Sequence, residues 1–304
     1  MVQVAKNPSS PNAGVPPAIS VEGLTYRYPG QRKPAVNNVS FDVREGEIFG
    51  LLGPSGAGKT TTQRVLTRQQ RGFTGRVRVL DQPLADWGRD YFEEIGVGFE
   101  LPNHYLKFTA VENLEFFASL YARKSRDPME LLALVGLDGD ADKRVDAFSK
   151  GMRMRLNFVR AFQHDPRLLF LDEPTAGLDP VNARIVKTII KELRARGKTI
   201  VLTTHNMHDV DELCDRVSFM VGGELAALDV PDALKARFGR RVVSVSYGRK
   251  DDARSEDFEL DGLGTNARFL EVIRSNEIRT IHSQEATLDQ VFNDVTGVGL
   301  GADE

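Results

Sequence analysis

The chain has 304 residues, 41% hydrophobic and 27% charged, so it can bury a sizeable core and is not a disordered chain. Forty Lys and Arg against 43 Asp and Glu give a formal charge of −3, which argues against nucleic acid as the main ligand, and the single cysteine rules out a disulfide framework or a Cys-built metal site. No 18 consecutive apolar residues occur and the start has no apolar signal core, so the chain reads as soluble and intracellular, with one large domain or a large and a small one.

Four of the 14 prolines fall in the first 18 residues, and residues 1–17 read as a flexible leader. Strands are expected at Ala18–Val21 and at Val39–Val43, where apolar and polar residues alternate. Glu45-Gly46-Glu47 then turns into Ile48–Leu52, an apolar run suited to a buried parallel strand. Thr109 and Glu112 form a capping box for a helix with Val111, Leu114, Phe117, Ala118 and Tyr121 at helical spacing. Buried strands recur at Leu168–Leu171 and Thr199–Thr203, with a helix over 181–196 stopped by Gly197 between them. Val210, Leu213, Cys214 and Val217 fall at i, i+3, i+4 and i+7, which reads as one helix face with Cys214 as a packed thiol. Strands alternating with helices predict a parallel α/β sheet.

The composition shifts near Pro231. Arg240 and Arg241 precede an alternating strand of Val243, Val245 and Tyr247; an acidic loop, a helix near 266–275 and a strand at 278–284 follow. A last helix starts at Thr287, boxed by Gln290, carries Leu288, Val291, Phe292 and Val295 as its stripe, and stops at Gly297. This stretch predicts a small C-terminal α/β domain over 231–304.

Two motifs carry chemistry. Gly53-Pro54-Ser55-Gly56-Ala57-Gly58-Lys59-Thr60 matches G-x-x-x-x-G-K-[ST] directly after an expected buried strand. Its glycines let backbone N–H groups curl around phosphate oxygens, Lys59 adds a point charge for the β- and γ-phosphates, and the Thr60 hydroxyl suits Mg²⁺. A helix beginning near Lys59 would point its positive dipole at the same anion. The second motif, Asp172-Glu173, ends a hydrophobic strand. Beside a phosphate cradle Asp172 would reach the metal and Glu173 would polarise an attacking water; alone, the pair could be a helix cap.

From Asp172 on, the chain becomes specific. Asp172-Glu173-Pro174-Thr175-Ala176-Gly177-Leu178-Asp179-Pro180 resembles the second acidic motif and D-loop of the ATP-binding-cassette (ABC) ATPases, and further landmarks follow the family order. The resemblance implies a P-loop NTPase cassette: a parallel-sheet core, an antiparallel β edge subdomain, and an inserted helical subdomain at about 100–165, all within an ATP-binding domain over 18–230. It implies that Tyr28 stacks on adenine, with Tyr26 a rival, and that Thr61 joins residues 53–60 in holding ATP. Phe148-Ser149-Lys150-Gly151-Met152 is similar to the family signature usually written L-S-G-G-Q; Ser149 would cap a helix running through about 163 whose N-terminus meets the γ-phosphate held by a second subunit. His205 resembles the switch histidine, although with His208 it could instead be solvent-facing or part of a weak metal pair. The resemblance also makes Asp179 the D-loop aspartate and implies that Thr60, Asp172 and Glu100 would face Mg²⁺. Glu100 stands where the family's Q-loop usually has Gln, and Lys150 and Met152 replace a Gly and a Gln.

Ala286-Thr287-Leu288-Asp289-Gln290-Val291-Phe292 resembles the closing motif of many exporter ATPases. The family expectation is therefore an ATPase at the cytoplasmic face of the membrane. It would pair with a second copy or a paralogous cassette around two Mg-ATP, drive a separate transmembrane permease, and bind no nucleic acid. A soluble cassette of DNA repair or translation, and a nucleotide-gated module that does not hydrolyse, are the alternatives.

Overall fold

All five residues of Ile48–Leu52 are buried, a pattern that only a strand covered on both faces allows. It is the third strand of a computed structural model that describes residues 16–238, 242–248, 253–284 and 287–297. Residues 1–15 of the expected leader, Arg240, Arg241, residues 249–252 and Ala286 lie outside the described residues. The chain divides into two compact units between Val230 and Pro231.

In the first unit the order is β1 Ile19–Tyr26, β2 Val36–Val43, β3 Ile48–Leu52, α1 Lys59–Leu66, β4 Thr74–Val79, β5 Gln82–Pro83, α2 Tyr91–Glu94 and β6 Ile95–Gly98. Then come α3 Ala110–Ala118, α4 Pro128–Leu134, α5 Lys150–Ala161, β7 Leu168–Asp172, α6 Pro180–Ala195, β8 Thr199–Thr204, α7 Met207–Leu213, β9 Arg216–Val221 and β10 Glu224–Asp229. β2-β1-β4-β5 form an antiparallel sheet, and a six-stranded sheet runs β10-β9-β3-β8-β7-β6. Strands β9, β3, β8, β7 and β6 pair in parallel, and β10 closes one edge antiparallel to β9. The alternating apolar residues of β1 and β2 face β3 and α1 in one core, where Phe41 stacks on Phe49 at 5.3 Å.

The register does the functional work. β8 lies between β3 and β7, with Leu52 opposite Thr204 and Asp172 opposite Thr203. The loop after β3, the carboxylates after β7 and His205 after β8 therefore leave the sheet side by side at its C-terminal edge, where ligands of parallel α/β sheets bind. α5 lies so close to β6 that a Cβ on Gly96 would stand 1.9 Å from the Ala161 carbonyl oxygen.

Three local expectations change. The helix capped by Thr109, with its box formed as expected, ends at Ala118, so Tyr121 lies past it and stacks on His164 at 3.7 Å. The expected helix over 210–217 ends at Leu213: Cys214 is extended, and Val217 belongs to β9 opposite Gly50. Val217, Phe219 and Val221 also alternate, and pairing with β3, begun by Asp215 N–H donating to Ile48 O at 2.8 Å, decides for the strand. α5 stops at Ala161 rather than near 163.

The second unit holds α8 Pro231–Phe238, β11 Val242–Tyr247, β12 Arg254–Glu259, α9 Ala267–Ser275, β13 Ile278–Gln284 and α10 Leu288–Thr296. Its sheet runs β12-β11-β13 over a core of Val243, Val245, Tyr247, Phe258 and Val272. β12 replaces part of the expected acidic loop. Only Phe258 of its six residues is buried, opposite Val243, so its charged composition hides the strand. The Thr287 box and the positive φ at Gly297 form as expected, and of the expected stripe Leu288, Val291 and Phe292 are buried while Val295 is half-buried.

Candidate active site

Directly after β3, the loop 53–60 packs under the β9–β10 hairpin. Gly53 and Gly58 have φ of +156° and +106°, and a Cβ there would stand 2.2 Å from Met220 O and 2.6 Å from Ala35 O respectively, so only glycine fits. Ser55 and Gly56 are exposed at its tip, and α1 begins at Lys59. The Lys59 ammonium donates to Gly53 O at 2.6 Å and Pro54 O at 3.0 Å, on the inside of the loop. Burial lowers its pKa, while Glu173, Asp172 and Glu100 oppose that shift. Thr61 Oγ1 lies 3.2 Å from the Tyr28 hydroxyl. Of the two rival tyrosines, Tyr26 is core and donates to Gln70 Oε1 at 2.8 Å, whereas the half-buried Tyr28 stands edge-on to it beside the loop.

At the end of β7, Asp172 accepts from Thr203 Oγ1 and, at 3.5 Å, from Thr60 Oγ1. Burial is the main cause that raises its pKa, followed by the lowering Thr203 bond and the raising Glu100 charge. Glu100, exposed, lines a cleft of about 390 Å³ with Thr60, Gln63, Asp172 and Asn103. Thr60, Asp172 and Glu100 thus gather oxygen donors alone, one hydroxyl and two carboxylates, around one cleft. That set fits a hard cation such as Mg²⁺, which keeps several waters and takes one or two carboxylates.

Glu173 sits in the left-handed region at φ +48°, a strained setting for a residue with a Cβ. Its carboxylate is held on both oxygens. Oε1 accepts from the His205 backbone N–H at 3.0 Å and from His205 Nδ1 at 2.7 Å, and Oε2 accepts from Thr204 Oγ1 at 2.9 Å. The His205 side chain is 65% exposed, so Nε2 is accessible to a ligand. The alternative metal pair with His208 is not what the chain builds. His208, Asp209 and Glu212 do bring ligand atoms within 4.8 Å of one another. However, Asp209 pairs with Lys187 at 3.3 Å and Glu212 with Lys191 at 2.8 Å, so these carboxylates tie α7 to α6.

The structure brings Lys59, Thr60, Glu100, Asp172, Glu173 and His205 to one end of the sheet. The signature residues pack elsewhere. Phe148 is buried, Ser149 Oγ caps α5 by accepting from Met152 N–H at 3.2 Å, and Gly151 faces Leu178. Lys150 lies over Gly177, its Nζ 3.2 Å from where a Cβ on that glycine would be. Asp179 caps α6 by accepting from the N–H groups of Val181 and Asn182, both at 3.0 Å, and these bonds lower its pKa. Thr203 and Thr204 were not singled out from sequence. Their signal is positional: they end the strand that precedes His205, one and two places before it.

Comparison with known proteins agrees with this arrangement. The profile described as ABC transporter matches residues 36–176, and one described as the fluoroquinolone efflux ABC transporter C-terminal domain matches residues 241–285. The chain is 56% identical over 280 residues to a fluoroquinolones export ATP-binding protein of Mycobacterium tuberculosis, covering 92% of this chain and 93% of that one. It is 38% identical over 268 residues to Nod factor export ATP-binding protein I of Rhizobium meliloti, covering 86% and 77%. Among solved structures it is similar to the ATP binding subunit of an ABC transporter, with a TM-score of 0.67 and 29% identity over 73% of this chain and 93% of the other.

Proposed function

The chain belongs to the ATP-binding-cassette transporter family as an ATP-hydrolysing subunit of its export branch, and on that premise we propose how its residues do the work. Residues 53–61 hold the triphosphate, with Lys59 on the β- and γ-phosphates and Tyr28 beside the base. Thr60, Asp172 and Glu100 would hold Mg²⁺, which would supply positive charge against the phosphates. Glu173 positions the attacking water and accepts its proton as the water oxygen bonds to the γ-phosphorus. The bond from that phosphorus to the β–γ bridging oxygen breaks, and ADP leaves with the electron pair. His205 orients Glu173 through its backbone N–H and Nδ1–H, and when both ring nitrogens carry a proton it also donates from Nε2 to the γ-phosphate.

The observation that carries this reading is the three-donor grip of Thr204 and His205 on Glu173. A carboxylate fixed this tightly beside a phosphate loop is suited to general base work. Glu173→Gln should keep ATP affinity within about twofold, slow turnover at least ~100-fold, and accumulate an ATP-bound dimer in gel filtration. Unchanged turnover would remove Glu173 from the role of base.

We assign residues 18–230 to the ATP-binding domain, about 100–165 to its helical subdomain, and 231–304 to a separate C-terminal domain. Two cassettes close head to tail around two ATP molecules, the Ser149 end of α5 meeting the partner's γ-phosphate. Among the described residues no helix is long and apolar enough to cross a membrane, and the work is delivered to a separate permease at the cytoplasmic face. Support for that docking is an exposed apolar face: Leu101, Tyr105, Leu106 and Phe108 stand out to solvent, and Tyr105 stacks with Phe108 at 5.3 Å. The relatives are named for chemically different cargoes, fluoroquinolones and Nod factors. Choice of cargo accordingly rests with the permease.

A further inference from the structure

Two buried polar side chains on α5 have no part in the chemistry above. Asn157 is 3% and Arg160 8% exposed. Their partners lie in the loop that carries Glu100. Asn157 Nδ2 donates to Phe99 O at 2.7 Å, directly before Glu100, and Arg160 Nη1 donates to Asn103 O at 2.6 Å, at the far end of the turn 100–102 that follows. Arg160 Nη2 donates to Asn157 Oδ1 at 2.7 Å and joins the two grips. The guanidinium lies 4.3 Å from the Phe117 ring centroid. At the next residue His104 Nε2–H donates to Arg153 O at 3.0 Å, a third tie from this loop to the same helix.

Burying a guanidinium is unfavourable, and the partners found here are carbonyls and an aromatic face. For packing alone, an apolar side chain of similar length would serve α5 better. What the charge supplies is direction: a donor fixed at a set angle to the Asn103 carbonyl and a second that orients Asn157 toward the Phe99 carbonyl, the two carbonyls bracketing residues 100–102.

We propose that Asn157 and Arg160 are positioning residues that hold Glu100 in the metal-side cleft by gripping the backbone on either side of it. Through them α5, the helix opened by Ser149, and the Glu100 loop move as one piece. The proposal rests on the reading of Glu100 as a group that faces Mg²⁺.

The test uses the full chain and Asn157→Asp, which keeps size and the acceptor for Arg160 but turns an oxygen toward Phe99 O. By calorimetry, affinity for Mg-ATP should fall about tenfold (~1.4 kcal/mol), with ATP in EDTA bound as by the wild type. Glu100→Ala should give the same shift, and the double variant no further loss, since both act through one group. The proposal is overturned if Asn157→Asp weakens binding equally with and without Mg²⁺, leaves both unchanged, or adds in full to Glu100→Ala. If Glu100→Ala itself leaves Mg-ATP affinity alone, it is the metal-side reading of Glu100 that fails. Should Asn157→Asp not fold, Arg160→Lys, which keeps the charge and loses the fork, is judged by the same outcomes.

Discussion

At the scale of single residues, one unusual backbone setting belongs to the chemistry. Glu173 is held at positive φ because β7 and β8 leave the sheet in register, and its own N–H is fixed to Thr203 O at 2.9 Å. The strain is offset by a carboxylate with three donors. A second perturbed residue, His104, has a pKa lowered to about 4, first by burial and then by the Arg160 charge. The folded state therefore binds fewer protons than the unfolded state between about pH 4 and the ordinary histidine value near 6.5. Stability from this site is complete above that upper value and is lost as pH falls towards the lower one, by up to about 3 kcal/mol. Burial shifts His164 in the same direction. Urea melts at neutral and mildly acid pH should show the loss, and His104→Gln should flatten part of it. An unchanged slope in that variant would place the acid sensitivity elsewhere.

At the scale of elements, local signals were clear where they coincided with packing. The runs at 48–52 and 199–203 could be read as buried strands because every position is apolar or Thr and both faces are covered. The Thr109 and Thr287 boxes formed because a cap is a contact between near neighbours. Where two periodicities fit one stretch, pairing decided. Residues 210–217 fit a helix until Val217 found Gly50 across β9 and β3, and β12 was hidden because an edge strand needs only one inward residue. Close approach of elements is equally invisible in the sequence. With Gly96 stacked on the Ala161 carbonyl, Gly96→Ala should push α5 from β6 and cost about 2–3 kcal/mol, seen as a lower melting temperature. A variant that melts like the wild type would show that the helix can yield there at little cost.

At the scale of the whole molecule, the site is a product of strand order. Three loops far apart in sequence become neighbours because β8 is inserted between β3 and β7. The apolar face around Leu101 and Leu106, 75% and 46% exposed, is a part of the first unit that water does not favour, and the proposed permease would cover it. Leu106→Ser with Phe108→Ser, on the same face but outside the metal-side cleft, should leave ATP binding unchanged and should abolish co-purification with a membrane protein. Retained co-purification would move the docking face away from this loop. By itself the sequence determined the phosphate loop, the acidic pair, the family and the change of character near Pro231, because these depend on residue types at fixed spacings or on composition. The tertiary structure alone decided that Tyr26 is committed to the core, that Thr203 and Thr204 hold the carboxylates, and that Asn157 and Arg160 grip the Glu100 loop. Those are contacts between side chains and backbone brought together by sheet order and helix packing, and no periodicity along the chain records them.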